Sequence, residues 1–443
     1  MRVRPFRFTV PAALLVMLAH AALAAPVDYR IDMGIEYNDN VNLSQDDPLS
    51  AWALRPAIGF GYSEHGSTIQ TDINGRVEHD TYLSGPFADK TLSQLTGVFN
   101  WSAIPERLNF SVLDTLAVAP INALQPNTPV NQQQTNVIGF GPTLLFRMGA
   151  GARGEAQLSY INSYASKTDQ YDTSRIAANL RAIRDLSQTS AGSLNLEYQT
   201  VDFTHEDSAP VPNYYRYSAF ARYVQKLASV DFTADAGYSW LKWRSGNATD
   251  YSGALLAGKV DWRLDPDNTL GFGVARRYSD AAEGALITPG ATGTPLQSII
   301  TIGDATVTAA PYLEHMAQLT YTYTGTRAHF SVSPQFSELD YLSIGNGTLP
   351  AFGGNQIHRR FMADYSWRFT PATSIGATAM GDIVSYNAID RRDRDTTIAA
   401  YLTHLLSPHW SWQVTYSWYR RASSVANQSA TNNIVYFGFT YTR

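Results

Sequence analysis

Apolar and polar residues alternate along much of the chain, beginning at its first predicted strand. Between Tyr29 and Tyr37, apolar side chains occupy every second position, and charged residues or glycine occupy the positions between them. A period of two predicts a β-strand with one apolar face and one polar face. In a soluble sheet the apolar face would cover a core, whereas in an outer-membrane barrel it would face lipid.

The alternation recurs to the C-terminus and predicts about twenty strands, most of them near the ~9–11 residues that a tilted strand needs to cross a bilayer. The predicted spans are 29–37, 54–62, 68–78, 92–103, 108–118, 135–148, 152–164, 174–184, 191–203, 214–224, 230–243, 251–263, 268–278, 311–324, 328–341, 357–369, 374–386, 395–405, 410–420 and 433–442. The last strand is the predicted partner of the first at the barrel seam.

The connections alternate in length, as they do between the periplasmic turns and extracellular loops of an outer-membrane barrel. Short connections are predicted at 63–67, 104–107, 149–151, 264–267, 325–327, 370–373 and 406–409, and long ones at 38–53, 119–134, 279–310 and 342–356. Loops 279–310 and 119–134 are candidates to fold inward and narrow the pore; the alternative is that they are surface loops.

Two further patterns bear on the membrane. Three arginines precede an apolar run from Val10 to Leu23 that ends in an Ala-x-Ala pattern, which predicts a signal peptide over residues 1–24 and leaves 25–443 as one barrel domain. Trp101, Trp262 and Trp367 each lie four residues before a proline in a short connection. Tryptophan favours the headgroup boundary, so these residues are predicted to form a periplasmic aromatic girdle.

Composition narrows the class. The chain has 443 residues with 26 Tyr, 19 Phe and 9 Trp, but only 16% are charged, against about 25% in soluble domains. It contains no cysteine and carries a net charge of −5, so neither a disulfide scaffold nor a nucleic-acid partner is expected. We predict an all-β, antiparallel up-and-down transmembrane barrel of about 18–22 strands in the outer membrane of a Gram-negative bacterium; a secreted solenoid or sandwich is the alternative.

Catalytic patterns are absent from the sequence: it has no glycine-rich phosphate loop, no H-E-x-x-H and no G-x-S-x-G. We therefore predict no enzyme, no cofactor and no catalytic or metal-binding residue. His315 with His329, and the oxygen-rich loop around Asp46, are weak metal candidates. Residues 391–395, Arg-Arg-Asp-Arg-Asp, are expected to form an external loop that either contacts lipopolysaccharide or is simply solvated.

Charged residues on the polar faces of the strands are predicted to line a water-filled lumen. They carry both signs, which suits either wall salt bridges or a mixed-charge track for a polar solute, and Arg216 and Arg222 are expected to face Glu197. The predicted lumen-lining residues are Asp32, Glu36, Arg76, Glu78, Arg153, Glu155, Glu197, Arg216, Arg222, Asp235, Arg360, Asp364, Arg368 and Asp382.

Residues 37–43, Tyr-Asn-Asp-Asn-Val-Asn-Leu, resemble the Y-x-D-N-V-x-L stretch that opens an outer-membrane β-barrel family of porin type, encoded with exopolysaccharide biosynthesis and exosortase (PEP-CTERM) systems. Residues 141–142, 320–325 and 338–342 are later echoes of the same family. The resemblance implies a barrel that lets polysaccharide cross the outer membrane beside a periplasmic co-polymerase and export assembly. It carries over no catalytic residue.

The C-terminus resembles the signal that barrel proteins present to the barrel-insertion machinery. Tyr436, Gly438 and Tyr441 match three of its positions, but the final residue is Arg443 where the signal has an aromatic residue. Besides this machinery, the expected partners are outer-membrane lipid and lipopolysaccharide, a polysaccharide and its periplasmic assembly. The predicted function is a channel that supports exopolysaccharide export; a general or nutrient-specific porin is the alternative.

Overall fold

The computed structural model describes residues 27–149, 151–209, 211–244, 249–287, 307–342 and 354–443. The predicted signal peptide lies outside these residues. The strands are β1 (Asp28–Asn38), β2 (Ala51–Leu54), β3 (Ala57–His65), β4 (Ile69–Tyr82), β5 (Lys90–Ile104), β6 (Leu108–Pro120), β7 (Gln132–Arg147), β8 (Ala152–Ala165), β9 (Thr173–Asp185), β10 (Ser190–Phe203), β11 (Tyr214–Lys226), β12 (Val230–Trp243), β13 (Tyr251–Arg263), β14 (Asn268–Ser279), β15 (Tyr312–Thr324), β16 (Ala328–Tyr341), β17 (Gln356–Arg368), β18 (Thr373–Tyr386), β19 (Arg391–Leu405), β20 (Trp410–Ser423) and β21 (Ala430–Thr442).

Helical structure is limited to helix α1 (Ala281–Ile287) and short 3₁₀ helices at Pro129–Asn131, Asp169–Tyr171 and Glu206–Ser208, as far as the described ranges extend. No helix in those ranges has both the length and the apolar character needed to span a membrane.

The strands close into a single barrel. From β3 onward each strand pairs antiparallel with the next, and β1 pairs with β21 from Arg30 opposite Thr442 to Asn38 opposite Ile434. β2 and β3 both pair with β1 and β4, and their register continues unshifted across Arg55 and Pro56. Because proline has no N–H to give to the ladder, the two segments are one interrupted strand. The wall therefore has 20 strands, which confirms the predicted fold class.

The two ends of the barrel differ in their connections. The start of β1, the end of β21 and short turns such as 66–68 and 406–409 lie at one end, whereas the opposite end carries the loops, the longest of which is 280–311. Short turns mark the periplasmic end of such barrels and long loops the extracellular end. The predicted alternation of connection lengths is confirmed.

An apolar belt covers the outside of the wall. Met33, Ile58 and Leu194 expose 58%, 62% and 68% of their surface, as expected of side chains that face lipid. Near the short turns, Trp101 stacks on Phe110 with their ring centroids 5.5 Å apart. A closed barrel with an apolar exterior and an aromatic girdle is an outer-membrane barrel, and the outer membrane is where this protein resides.

One predicted loop is wrong. Residues 391–395 are not a loop but the first residues of β19, with Arg391 and Asp393 facing inward and Arg392 and Arg394 facing outward. The wall extends here beyond the apolar belt, where both faces are polar, so the alternation of apolar and polar residues that marked the other strands is missing.

The segment that resembles the exopolysaccharide-associated family closes the seam. Asn432 donates to Asn38 Oδ1 and to the Asn40 carbonyl, both at 2.9 Å, and Asn433 donates to Asp39 from its backbone and its side chain at 2.7 Å. These contacts hold the end of β1 against the start of β21, and the predicted seam partnership of the first and last strands is confirmed.

Candidate functional site: the lumen and its extracellular constriction

The charged face of the wall turns away from the apolar belt. Residues directly opposite one another in neighbouring strands share a face of the sheet. Starting from Asp32, the strand registers therefore identify the inward-facing residues of each strand in turn. Every predicted lumen-lining residue occupies this face in the register. Their part in solute passage stays a prediction.

The structure brings four of them together in one cluster, defined here as the β1–β5 cluster. Besides Asp32, Glu36, Arg76 and Glu78, it contains Arg30, Arg55, Asp80 and Lys90. Its four cations and four carboxylates balance. All these side chains are mostly buried, apart from the half-buried Arg30.

Arg55 is the centre of the β1–β5 cluster, and the sequence reading missed it. Its guanidinium contacts Glu36, Glu78 (2.8 Å) and Asp80 (2.9 Å), and its side chain is only 11% exposed. Arg55 lies beside Pro56 in the gap between β2 and β3, where the alternation of apolar and polar residues does not indicate which face Arg55 occupies. Its position opposite the inward-facing Gly34 is what aims it into the lumen.

The other predicted residues form separate wall pairs rather than one convergent site. Ion pairs join Arg153 to Asp185, Glu155 to Arg181, Arg222 to Asp235 and Arg360 to Asp382. Asp364 lies 3.4 Å from the imidazole of His329. Arg368 is the last residue of β17, at its periplasmic end. Glu197 is not the partner of Arg216 or Arg222, because their guanidinium groups are taken by Glu283 and Asp235.

The structure does not bring together the two histidines that were candidates for a metal site. His315 lies opposite Glu338 and His329 opposite Thr324, so the two histidines are at opposite ends of the β15–β16 hairpin. One trio of metal-ligating residues does occur in the described ranges, at Asp169, Asp172 and His205 above β9. Burial raises the pKa of Asp172 to about 6, while the Ala165 N–H and His205 act in the opposite direction.

Loop 280–311 folds into the barrel where the structure describes it. Asp280 caps α1 by accepting hydrogen bonds from the backbone N–H groups of Ala282 and Glu283, at 3.0 and 3.2 Å. An aspartate at this position, followed three residues later by glutamate, is a favourable helix start. Residues 288–306 of this loop lie outside the described residues.

Two ion pairs hold this loop against β9 and β11. We call these two ion pairs the latch. Arg175 of β9 binds Asp280 through both terminal nitrogens at 2.6 and 2.8 Å, with both side chains 1% exposed. Arg216 of β11 binds Glu283 at 2.5 and 3.0 Å. Burial alone would raise the pKa of Asp280, but the adjacent guanidinium groups hold it below its ordinary value.

Helix α1 reaches the far wall of the lumen. Ala281 and Ala282 pack in one buried cluster with Ala117, Val137 and Tyr171, which come from β6, β7 and the segment before β9. On the return path, the Ala309 N–H donates to the Gln170 carbonyl at 3.0 Å. The loop leaves β14 and contacts β6–β8, so it crosses the extracellular part of the lumen.

Loop 121–131 also bends inward, from the other side. Asn131 organises it by donating to the carbonyls of Asn122 and Pro126, at 2.9 and 3.0 Å. Arg391 of β19 donates to the Leu124 carbonyl at 2.5 Å. Together, loops 280–311 and 121–131 form what we call the extracellular constriction.

Comparisons with known proteins identify no family for the chain. No family model matches it, and no curated protein matches it. Among solved structures, the FrpB iron transporter of Neisseria meningitidis (F5-1 variant) superposes with a TM-score of 0.49 at 9% identity, over 95% of this chain and 83% of that one. The siderophore receptor PirA of Pseudomonas aeruginosa gives 0.46 at 8% identity, over 95% and 80%.

The OpdK protein of Pseudomonas aeruginosa, solved with vanillate, gives a TM-score of 0.37 at 10% identity, over 94% of this chain and 99% of that one. These proteins are described as a transporter, a receptor and an outer-membrane protein, and none of these descriptions names an enzyme. The fold assignment rests on the closed strand pairing and not on these similarities.

The two halves of the lumen differ in solvation. At the extracellular ends of the strands, inward residues such as Val201, Leu241 and Leu339 are fully buried. At the periplasmic ends, the charged side chains that face inward remain exposed to solvent: those of Arg153 and Asp185 are each 52% exposed, and that of Lys259 is 69% exposed. The described residues therefore form a water-filled vestibule that opens to the periplasm and ends at the extracellular constriction.

Proposed function

We propose that the protein is an outer-membrane channel, closed from outside by the extracellular constriction, that supports exopolysaccharide export. The observation that carries the channel is the solvated periplasmic vestibule lined by ions of both signs. A polar polymer could enter it from the periplasm without losing its hydration, because the wall offers paired charges and water rather than apolar surface. The constriction at the far end would keep the pore closed between transport events.

The polysaccharide substrate and a periplasmic co-polymerase assembly as partner are supported by the resemblance of residues 37–43 to the exopolysaccharide-associated family. In the structure these residues fasten the seam, so they support membership of a barrel family and contact no substrate. Transport of a polysaccharide is the part of the proposal that has to be tested by experiment.

Deletion of the gene tests the proposal directly. We expect secreted polysaccharide to fall and periplasmic polysaccharide to rise, and we expect the wild-type gene to restore secretion. As a matched control, a variant such as Asp202→Ala, which removes an exposed ion pair with Arg244 on the outward face of the wall, should complement as well as wild type. Normal secretion in the deletion strain would refute the export role.

A nutrient or general porin is the second candidate, and loop 280–311 is the observation in its favour. A loop folded into the lumen narrows a diffusion pore and selects its solutes. If this candidate is right, the deletion strain secretes polysaccharide normally but takes up a small polar solute more slowly. Liposome swelling with sugars of increasing size would then show a size cut-off that the latch variants raise.

A further inference from the structure

We propose that four outward-facing arginines on β17, β19 and β20 form a binding site for the phosphate groups of lipopolysaccharide. We call this site the arginine patch: Arg359, Arg392, Arg394 and Arg420. All four side chains are exposed and lie near the extracellular ends of their strands.

The register places the four arginines side by side. Arg359 and Arg394 lie directly opposite Ile383 from its two sides, so their strands are separated by about 10 Å. Arg394 lies opposite Ala422, and Arg420 lies opposite Thr396, which makes these two arginines diagonal neighbours roughly 7–8 Å apart. Arg392 lies two residues before Arg394, on the same face of β19. The patch is thus compact enough for one headgroup to touch several guanidinium groups.

The arginine patch lies directly above the apolar belt. Two residues further into the membrane, Phe361 below Arg359 is 46% exposed and faces lipid. On β20, Trp418 lies two residues below Arg420, opposite the exposed Ile398. The guanidinium groups are therefore at the level where the acyl chains of the outer leaflet end and its headgroups begin.

None of the four guanidinium groups has a carboxylate partner among the described residues. The acids of the same strands face inward, where Asp393 and Asp395 bind Arg391 and Arg421. On either side of the patch, Asp39 is engaged by Asn433 and Glu338 is paired with His315. Four neighbouring cations without counter-ions at a membrane boundary predict an anionic ligand.

The other outward cations at the extracellular end of the described strands, such as Lys242 of β12, do not form a group of this kind. Arg244 pairs with Asp202, and Arg276 donates to the Ala254 carbonyl. Within the described residues, four neighbouring arginines without carboxylate partners occur together only in the sector of β17–β20, which argues for a site rather than for general basicity of the rim.

Phosphate is the anion that fits best. Arginine offers planar, paired N–H donors that match phosphate oxygens and is weakly hydrated, so it suits an interface that is partly shielded from water. Clusters of basic residues next to a membrane recruit anionic headgroups in this way. In the outer leaflet the abundant phosphorylated lipid is lipopolysaccharide, and its acyl chains would lie on the apolar belt below the patch.

The test compares lipopolysaccharide bound to the full-length barrel after extraction in mild detergent, measured by native mass spectrometry. The variant is Arg359→Gln, Arg392→Gln, Arg394→Gln and Arg420→Gln combined. The matched control is Arg184→Gln with Arg276→Gln, which removes two outward arginines that lie outside the patch. We expect the variant to retain at least tenfold less lipopolysaccharide than wild type, and the control to retain the wild-type amount.

Lipopolysaccharide from which the phosphates have been removed supplies the second arm. It should bind wild type as weakly as intact lipopolysaccharide binds the variant. Equal retention by variant and wild type, or equal binding of the dephosphorylated lipid, would overturn the proposal. A change in oligomeric mass with unchanged lipid binding would also overturn it and would identify the patch as a contact between proteins. Heat-modified electrophoretic mobility checks folding, and Arg394→Gln with Arg420→Gln replaces the fourfold variant where that one does not fold.

Discussion

Replacing Asp280 should open the extracellular constriction. This carboxylate accepts hydrogen bonds from both terminal nitrogens of Arg175 and, at 3.2 Å, from the hydroxyl of Tyr214. It also caps helix α1. Asp280→Ala removes all of these contacts and leaves a guanidinium 1% exposed without a counter-ion. Removal of one partner of a buried pair costs about 3–5 kcal/mol, and loss of the cap costs about 1 kcal/mol more.

At about 1.4 kcal/mol for each factor of ten, loss of the pair alone shifts the equilibrium of the latched loop by about a hundredfold to several thousandfold toward release. Conductance of single channels in planar bilayers measures the result. We expect wild type to be mostly closed and Asp280→Ala to show larger or more frequent openings. The released arginine would still lie in the lumen, so the open channel should also favour anions more than wild type does.

The control separates the latch from ion pairs in general. Asp202 pairs with Arg244 on the outward face of the wall, where both side chains are more than one third exposed, and such exposed pairs contribute only about 0–1 kcal/mol. Asp202→Ala should leave conductance unchanged. Arg175→Met combined with Asp280→Leu should restore closure in part, because it removes both charges and keeps the buried volume. A folded Asp280→Ala barrel with wild-type conductance would refute the reasoning.

Three further outcomes are expected. Arg55→Ala strips the β1–β5 cluster of its centre and should lower the free energy of unfolding by about 3–5 kcal/mol, measured by urea titration in detergent. Asn40→Ala breaks the side-chain bonds to the Ser44 and Thr431 carbonyls and should cost about 1–3 kcal/mol in the same titration. Burial raises the pKa of Asp172 to about 6 from 3.8, so its charged form is disfavoured in the fold and local stability should rise as pH falls from above 6 toward 4. Amide protection factors around 165–173, corrected for the intrinsic exchange rate at each pH, should therefore increase over that range, and Asp172→Asn should abolish the increase.

The strands could be read from the sequence because lipid on one side and water on the other force a period of two. β12, β13 and β16 begin and end at the predicted residues. The pattern fails where that contrast ends. At Arg391–Asp395 the wall projects beyond the lipid, both faces are polar, and a strand looks like a loop.

The lumen could be predicted by face but not by partner. Alternation assigns Arg216 to the inward side, yet its carboxylate is Glu283, from a loop whose path the alternation does not describe. The same holds for Arg175 and Asp280, which are 105 residues apart in the chain. A capping pattern at Asp280 and Glu283 was the one local signal that this loop begins with a helix, and nothing local indicates which strand the helix faces.

The distribution of buried charge indicates which end of the channel controls it. The same type of ion pair is 1% exposed at Arg175–Asp280 and 52% exposed at Arg153–Asp185. Because an ion pair exposed to water contributes little to stability, the buried Arg175–Asp280 pair can hold a loop in place and the exposed Arg153–Asp185 pair cannot. A solute or partner that arrives from the periplasm meets hydrated side chains and no latch, and the step that requires free energy is the release of α1 at the outer end. Regulation of transport should therefore act on the constriction, either through the arriving polymer or through contacts at the extracellular loops.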